Sequence, residues 1–150
     1  MSIPPLLPCG LLPHGVFDCT LDEVAANYTW SPRRTELWER FGQFLAWLKP
    51  QPAAPHLYLD GGFTGDKQHP KDIDVVLDLT TTDDGAFRHW LVVFATQRPL
   101  IAEQFLVDFW IYHPTMSNDL RGFFHYIRPE EAQARGVSPD HRKGLLRIAL

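Results

Sequence analysis

Cysteine is scarce in this chain. With only two among 150 residues, Cys9 and Cys19, both in the amino-terminal segment, no disulfide framework is expected. Neither has a fixed histidine partner in the sequence, so neither is a nucleophile candidate, and a reduced cytoplasmic protein is the expectation. No run approaches the roughly 18 consecutive apolar residues of a membrane-crossing helix. The opening stretch has no positive cluster and is interrupted by Pro4, Pro5 and Pro8, which makes it a poor signal peptide. A global basic footprint is missing too: the formal net charge is −4, which excludes broad phosphate neutralisation as the main way of holding duplex nucleic acid. The seven histidines show no pair at metal-ligand spacing, so a transition-metal site is not expected. Repeats, low-complexity tracts and linkers are also lacking.

What is present is core material. At 45% apolar and 13% aromatic, the chain has enough to pack one domain, taken as residues 1–150 with an extended Pro-rich arm over about 1–17. Thr20-Leu21-Asp22-Glu23 has the spacing of a capping box and predicts a short helix to about Asn27. Ser31-Pro32 starts a second helix, whose apolar face is Leu37, Trp38, Phe41, Phe44, Leu45 and Leu48. Arg33, Arg34, Glu36, Glu39 and Arg40 form its expected solvated side, and Pro50 ends it. Strands are expected over about 56–60, 72–79 and 105–112, with a helix over 83–96 bounded by Pro99. The tail predicts a strand over 122–128, a short helix over 129–135 and a final strand over 144–149. The fold class is α/β (α+β): a small mixed sheet packed by helices.

The most informative stretch runs from Tyr58-Leu59-Asp60-Gly61-Gly62-Phe63-Thr64 to Lys71-Asp72-Ile73-Asp74-Val75. Aspartates at i and i+2 of a strand share a face, where unneutralised like charges repel; a divalent cation with hard oxygen ligands relieves that repulsion. A glycine pair at a strand end lets backbone amides approach phosphate closely. A P-loop is set aside, because Asp66 stands where that motif needs glycine and His69 is no substitute for its Ser/Thr. In the strand over 105–112, Asp108 falls on the face opposite Phe105, Val107, Phe109 and Ile111, an isolated carboxylate in an apolar segment.

Gly61-Gly62, nine intervening residues and Asp72-Ile73-Asp74-Val75, with Asp108 on a later strand, resemble the signature of the polymerase-beta-type nucleotidyltransferase superfamily. The likeness covers roughly residues 33–112 and is to short stand-alone bacterial members, including those of toxin-antitoxin operons. It implies a nucleotidyltransferase that moves an NMP from an NTP to a hydroxyl on RNA, protein or a small molecule. Asp72, Asp74 and Asp108 would be catalytic and hold Mg²⁺ or Mn²⁺; Gly61, Gly62, Thr64 and Lys71 are the candidate nucleotide contacts. The implied partners are NTP, an acceptor RNA or protein, and a partner protein of the same operon. Two positions depart from the pattern: Gly62 where many active members have serine, and Asp60 where an apolar residue is usual. The alternative is a catalytically degenerate, antitoxin-like member that binds nucleotide or a partner.

Other residues have plainer expectations. Lys67 flanks the motif as a loop lysine. Asp60 serves either the site or the strand end. Asp78, more than roughly 10 Å along the strand from Asp74, is expected in a surface pair. His125 reads as a core-edge residue, and Arg121, Arg128, His141, Arg142 and Lys143 as a solvated basic tail or a rim for an acceptor.

Overall fold

The computed structural model of the chain describes residues 3–150. After an irregular arm comes β1 (Val16–Cys19), then α1 (Leu21–Tyr28) and α2 (Pro32–Leu48). Both helices start on the capping chemistry written in the sequence. Thr20 Oγ1 accepts from the Glu23 amide while the Glu23 carboxylate accepts from the Thr20 amide, and Ser31 accepts from the Arg34 amide ahead of Pro32. There follow β2 (His56–Asp60), a 3-10 turn (Gly61–Thr64), β3 (Ile73–Asp78), α3 (Asp84–Phe105) and β4 (Val107–Tyr112). The chain ends with α4 (Leu120–Phe123), α5 (Pro129–Arg135) and β5 (Leu145–Ala149).

The five strands form one mixed sheet in the order β1-β5-β2-β3-β4. β2 runs antiparallel to both β3 and β5, whereas β1 pairs β5 in parallel and β3 pairs β4 in parallel. The parallel β3–β4 pair requires a crossover, and α3 supplies it. Alternation then assigns the faces. Leu57, Leu59, Ile73, Val75, Leu77, Val107, Phe109 and Ile111 join Leu37, Phe41 and Phe44 of α2 and Trp90 of α3 in the main core. The opposite face buries only a small cluster of Tyr58, Val76 and Leu145, backed by Trp110, Tyr112 and Phe124. Asp60, Asp74 and Asp108 lie on this thinly covered side.

Four expectations change. Pro99 does not bound the third helix but lies inside α3. An internal proline costs about 3 kcal/mol. Beyond it, however, Ile101 and Phe105 are each almost wholly buried, and at about 1.5–3 kcal/mol per side chain their burial outweighs the lost bond. The third core strand consequently begins at Val107 rather than Phe105, after Leu106 turns the chain with φ 53° and donates its amide to Ala102. Residues 122–128 are not a strand. Asp119 caps the amides of Arg121 and Gly122 to start α4, and only Tyr126 makes a bridge, to Arg142. The arm expected over 1–17 is irregular until Val16, where the chain becomes the sheet's edge strand; Met1 and Ser2 lie outside the described residues.

Candidate functional site

Strand register builds the site. Asp60 of β2 is paired with Asp74 of β3, and Asp74 with Asp108 of β4, so three carboxylates stand in one row across three adjacent strands. Asp72 precedes Asp74 by two residues, just ahead of β3. A cleft of about 1330 Å³ opens over the Asp74 and Asp108 end of the row, and its walls include Gly61, Gly62, Lys71, Asp72, Asp74 and Asp108 of the expected set, joined by Lys67 and Lys143. Thr64 is placed elsewhere: it is buried, and its hydroxyl donates to the Gly61 carbonyl.

The charges do not balance. Burial first, then the charge of Asp72 and the contact with Asp108, pushes the Asp74 carboxyl well above the usual carboxylate range. Asp72 is raised by burial and by Asp108, against the opposing pull of Lys67, Lys71 and Arg33. Asp108 is shared, since its Oδ1 accepts from Arg98 Nη2 at 2.9 Å. The Arg98 guanidinium also donates to the Phe109 carbonyl and lies 3.9 Å over the Trp110 ring. Among the described residues no three carboxylate, imidazole or thiol groups are drawn into a closed ligand set. Asp72, Asp74 and Asp108 offer carboxylate oxygens to the cleft, and the upward push on Asp72 and Asp74 is what a hard divalent cation beside them would relieve.

Asp60, expected to serve either the site or the strand end, is the fourth acid. Only 2% exposed, it has no hydrogen-bond partner for either carboxylate oxygen, and its nearest cation is the Lys143 ammonium, 3.6 Å from Oδ1. Burial raises its pKa to about 7, against the lowering influence of Lys143. The sign of the linkage follows. Between about pH 5 and pH 7 the unfolded chain has lost this proton, its ordinary value being about 3.9, while folded Asp60 keeps it. The folded state binds more protons, so stability falls as pH rises through that window. Urea unfolding should therefore give a higher midpoint at about pH 5.5 than at about pH 8, and Asp60→Asn should reduce that difference, leaving the part that Asp74 contributes.

The glycine turn fits around the acids. Gly61 has φ 81°, and a Cβ there would run into Asp74 Oδ2. Gly61→Ala should therefore cost about 2 kcal/mol or more in denaturant unfolding, through both the left-handed backbone and the displaced carboxylate. At Gly62 a Cβ would come 2.7 Å from Lys67 Cδ. Where a serine would offer a hydroxyl, this chain lays the stem of a cleft-lining lysine across bare backbone.

Arg34 holds that loop to α2. Expected on the solvated side, it is instead fully buried. Nη1 donates to the carbonyls of Phe63 and Tyr28, and Nη2 to those of Gly65, Lys67 and Gly62. Its plane also lies 4.3 Å over the Trp30 ring. The carbonyl cage engages both terminal nitrogens without a counter-ion, while the buried Nε has no partner. Arg33, beside it, donates to the Pro70 and Lys71 carbonyls just ahead of Asp72. The missed signal was spacing: Arg34 precedes Leu37, Phe41, Phe44 and Leu48 on one three-and-four stripe.

Other outcomes refine the picture. Asp78 is not in a surface pair. It is buried, accepts from the Thr80 amide and hydroxyl, and sits 3.8 Å from Arg121. Of the basic tail, Arg121 pairs with Asp119 and lies 3.7 Å over Tyr112 of β4, Arg142 lies 3.9 Å over Tyr126, and the exposed Arg128 lines the cleft. His125 is a half-buried edge residue whose Nδ1 is 2.6 Å from the Lys143 carbonyl. Both cysteines are free, and burial pushes the Cys19 thiol up to about 11, which keeps it from acting as a thiolate. No helix of the described residues is long and apolar enough to cross a membrane.

No curated protein and no solved structure matches the chain. A family profile matches residues 4–149, which takes in every strand, helix and cleft residue described above, and the chain therefore belongs to DUF6932, a family of unknown function.

Proposed function

We propose that the protein is a nucleotidyltransferase that uses Mg²⁺ or Mn²⁺ to move an NMP from an NTP to a hydroxyl on RNA, protein or a small molecule. The observation that carries this reading is the register row of Asp60, Asp74 and Asp108 beside a glycine turn with no side chain over Asp74. Asp72 and Asp74 would hold the cation, with Asp108 contributing from the neighbouring strand. The cation, when bound, supplies positive charge between the carboxylates and the triphosphate. The chain's own part is to orient and to take a proton. The acceptor oxygen bonds to the α-phosphorus, the bond from that phosphorus to the β-bridging oxygen breaks, and pyrophosphate leaves with the electron pair. The hydroxyl proton passes to a carboxylate oxygen of Asp108. Positioning and charge account for the gain, with no covalent intermediate.

The Arg98–Asp108 ion pair favours a second reading, in which the fold binds nucleotide or an operon partner without chemistry, because the third carboxylate is already engaged. One experiment separates them. Incubate the protein with each α-labelled NTP, Mg²⁺ or Mn²⁺ and cell extract, alongside an Asp72→Asn/Asp74→Asn variant. Label transfer that disappears in the variant supports the transferase. Metal-dependent nucleotide binding without transfer supports the second reading, and the absence of both rejects nucleotide chemistry at this cleft.

A further inference from the structure

Lys143 entered as part of a tail and emerges as a wall of the cleft. Its side chain is only 12% exposed, although lysine is almost never so covered without a reason. Its backbone is clamped at both ends: the amide donates to the His125 carbonyl at 2.9 Å, and the carbonyl lies 2.6 Å from His125 Nδ1. The ammonium faces Asp60 at 3.6 Å, well beyond the roughly 2.7–2.9 Å of a strong charge-assisted hydrogen bond. Asp60 therefore keeps the charge in place without using up its three donors.

The pair has no evident structural use. A buried ion pair is often no more stabilising than well-packed apolar residues, and here the neighbouring strand positions Tyr58, Val76 and Leu145 already make an apolar cluster. What the pair does provide is a fixed positive charge beside the carboxylates, at the edge where Asp60 meets Asp74, in a cleft whose walls also carry Lys67, Lys71, Arg128 and Arg135. A chemically matched ligand carries several negative oxygens and cannot be satisfied by the carboxylates alone.

We propose that Lys143, positioned by Asp60 and His125, binds the β- and γ-phosphates of a metal-complexed nucleoside triphosphate. This rests on the reading of the cleft as an NTP site and adds to it a phosphate contact from the β5 side of the sheet. At about pH 8, where Asp60 is ionised, the ammonium donates to phosphate oxygens while Asp60 remains behind it as counter-ion. The same contact would favour triphosphates over monophosphates, which lack the outer phosphates.

Calorimetric titration in Mg²⁺ with the four NTPs, their monophosphates and inorganic tripolyphosphate tests this without requiring turnover. Wild type should bind at least one NTP more tightly than its monophosphate. Lys143→Gln should weaken that NTP and tripolyphosphate about tenfold or more, and leave the monophosphate within about twofold. Lys143→Arg should retain part of the affinity. Because Lys143→Gln strands Asp60 and could unfold the chain, Asp60→Asn/Lys143→Gln is the decisive variant, for it leaves no uncompensated charge. It should melt at or above the wild-type temperature and still bind triphosphate as weakly as the single variant. Wild-type triphosphate affinity in that double variant would show the pair to be structural and overturn the assignment alone. Failure of the wild-type chain to bind any NTP or tripolyphosphate overturns both this assignment and the nucleotide reading beneath it.

Discussion

Asp74→Asn is expected to abolish label transfer, with a fall of about 10³-fold or more, and at the same time to make the protein harder to unfold at about pH 8. The first effect follows from the proposed chemistry: a cation and its ligands contribute several kcal/mol to charge stabilisation, and each 1.36 kcal/mol is about tenfold in rate. The second follows from the geometry alone. Burial, Asp72 and Asp108 all disfavour the ionised form of Asp74, so the folded pKa lies above the unfolded one. The ionised side chain thus costs stability above its unfolded pKa, and asparagine removes that cost while keeping the shape. The gain should shrink toward about pH 5, where the wild-type proton is retained on folding. Opposite signs for activity and stability, read by transfer assay and urea midpoint on the same preparation, are the signature of a group kept for function. A variant that loses both would place Asp74 among purely structural residues.

Arg34→Met is expected to be the most damaging single change to the fold outside the apolar core, at about 3–5 kcal/mol in denaturant unfolding. Methionine replaces much of the volume but none of the donors. Five carbonyls, from Tyr28, Gly62, Phe63, Gly65 and Lys67, lose an N–H at once, and the loop that carries the glycine pair loses its tie to α2. Arg34→Lys should not rescue the loss, because a compact ammonium cannot span both sides of the cage as the planar fork does. Amide exchange over residues 61–67 should quicken even under conditions where the variant remains folded. Unchanged exchange there would mean that the loop is held by other contacts.

The two predictions differ in how visible their residues were. Asp74 could be picked out from Asp-x-Asp beside apolar, β-branched residues, because strand alternation is local and puts both acids on one face. The helix starts at Thr20 and Ser31 were legible for the same reason: capping is chemistry between residues three apart. Arg34 was not, since charge alone assigns an arginine to water, and only the approach of the loop over residues 61–67 supplies the carbonyls that permit burial. Pro99 misled in the same way. Its local effect is to end a helix, and the burial of Ile101 and Phe105 that overrides it depends on where β4 lies.

By itself, then, the sequence determined the local elements: which segments cap, alternate and turn, that Asp74 and Asp108 sit on strand faces, and that Asp72 and Asp74 follow a glycine pair. Tertiary structure alone decided that Asp60 joins their row, that Arg98 engages Asp108, and that Lys143, from the far end of the chain, stands against Asp60. The reason is physical. Periodicity reports which way a side chain points from its own backbone, whereas strand order and register decide what it meets there. Those are settled by the packing of the whole sheet.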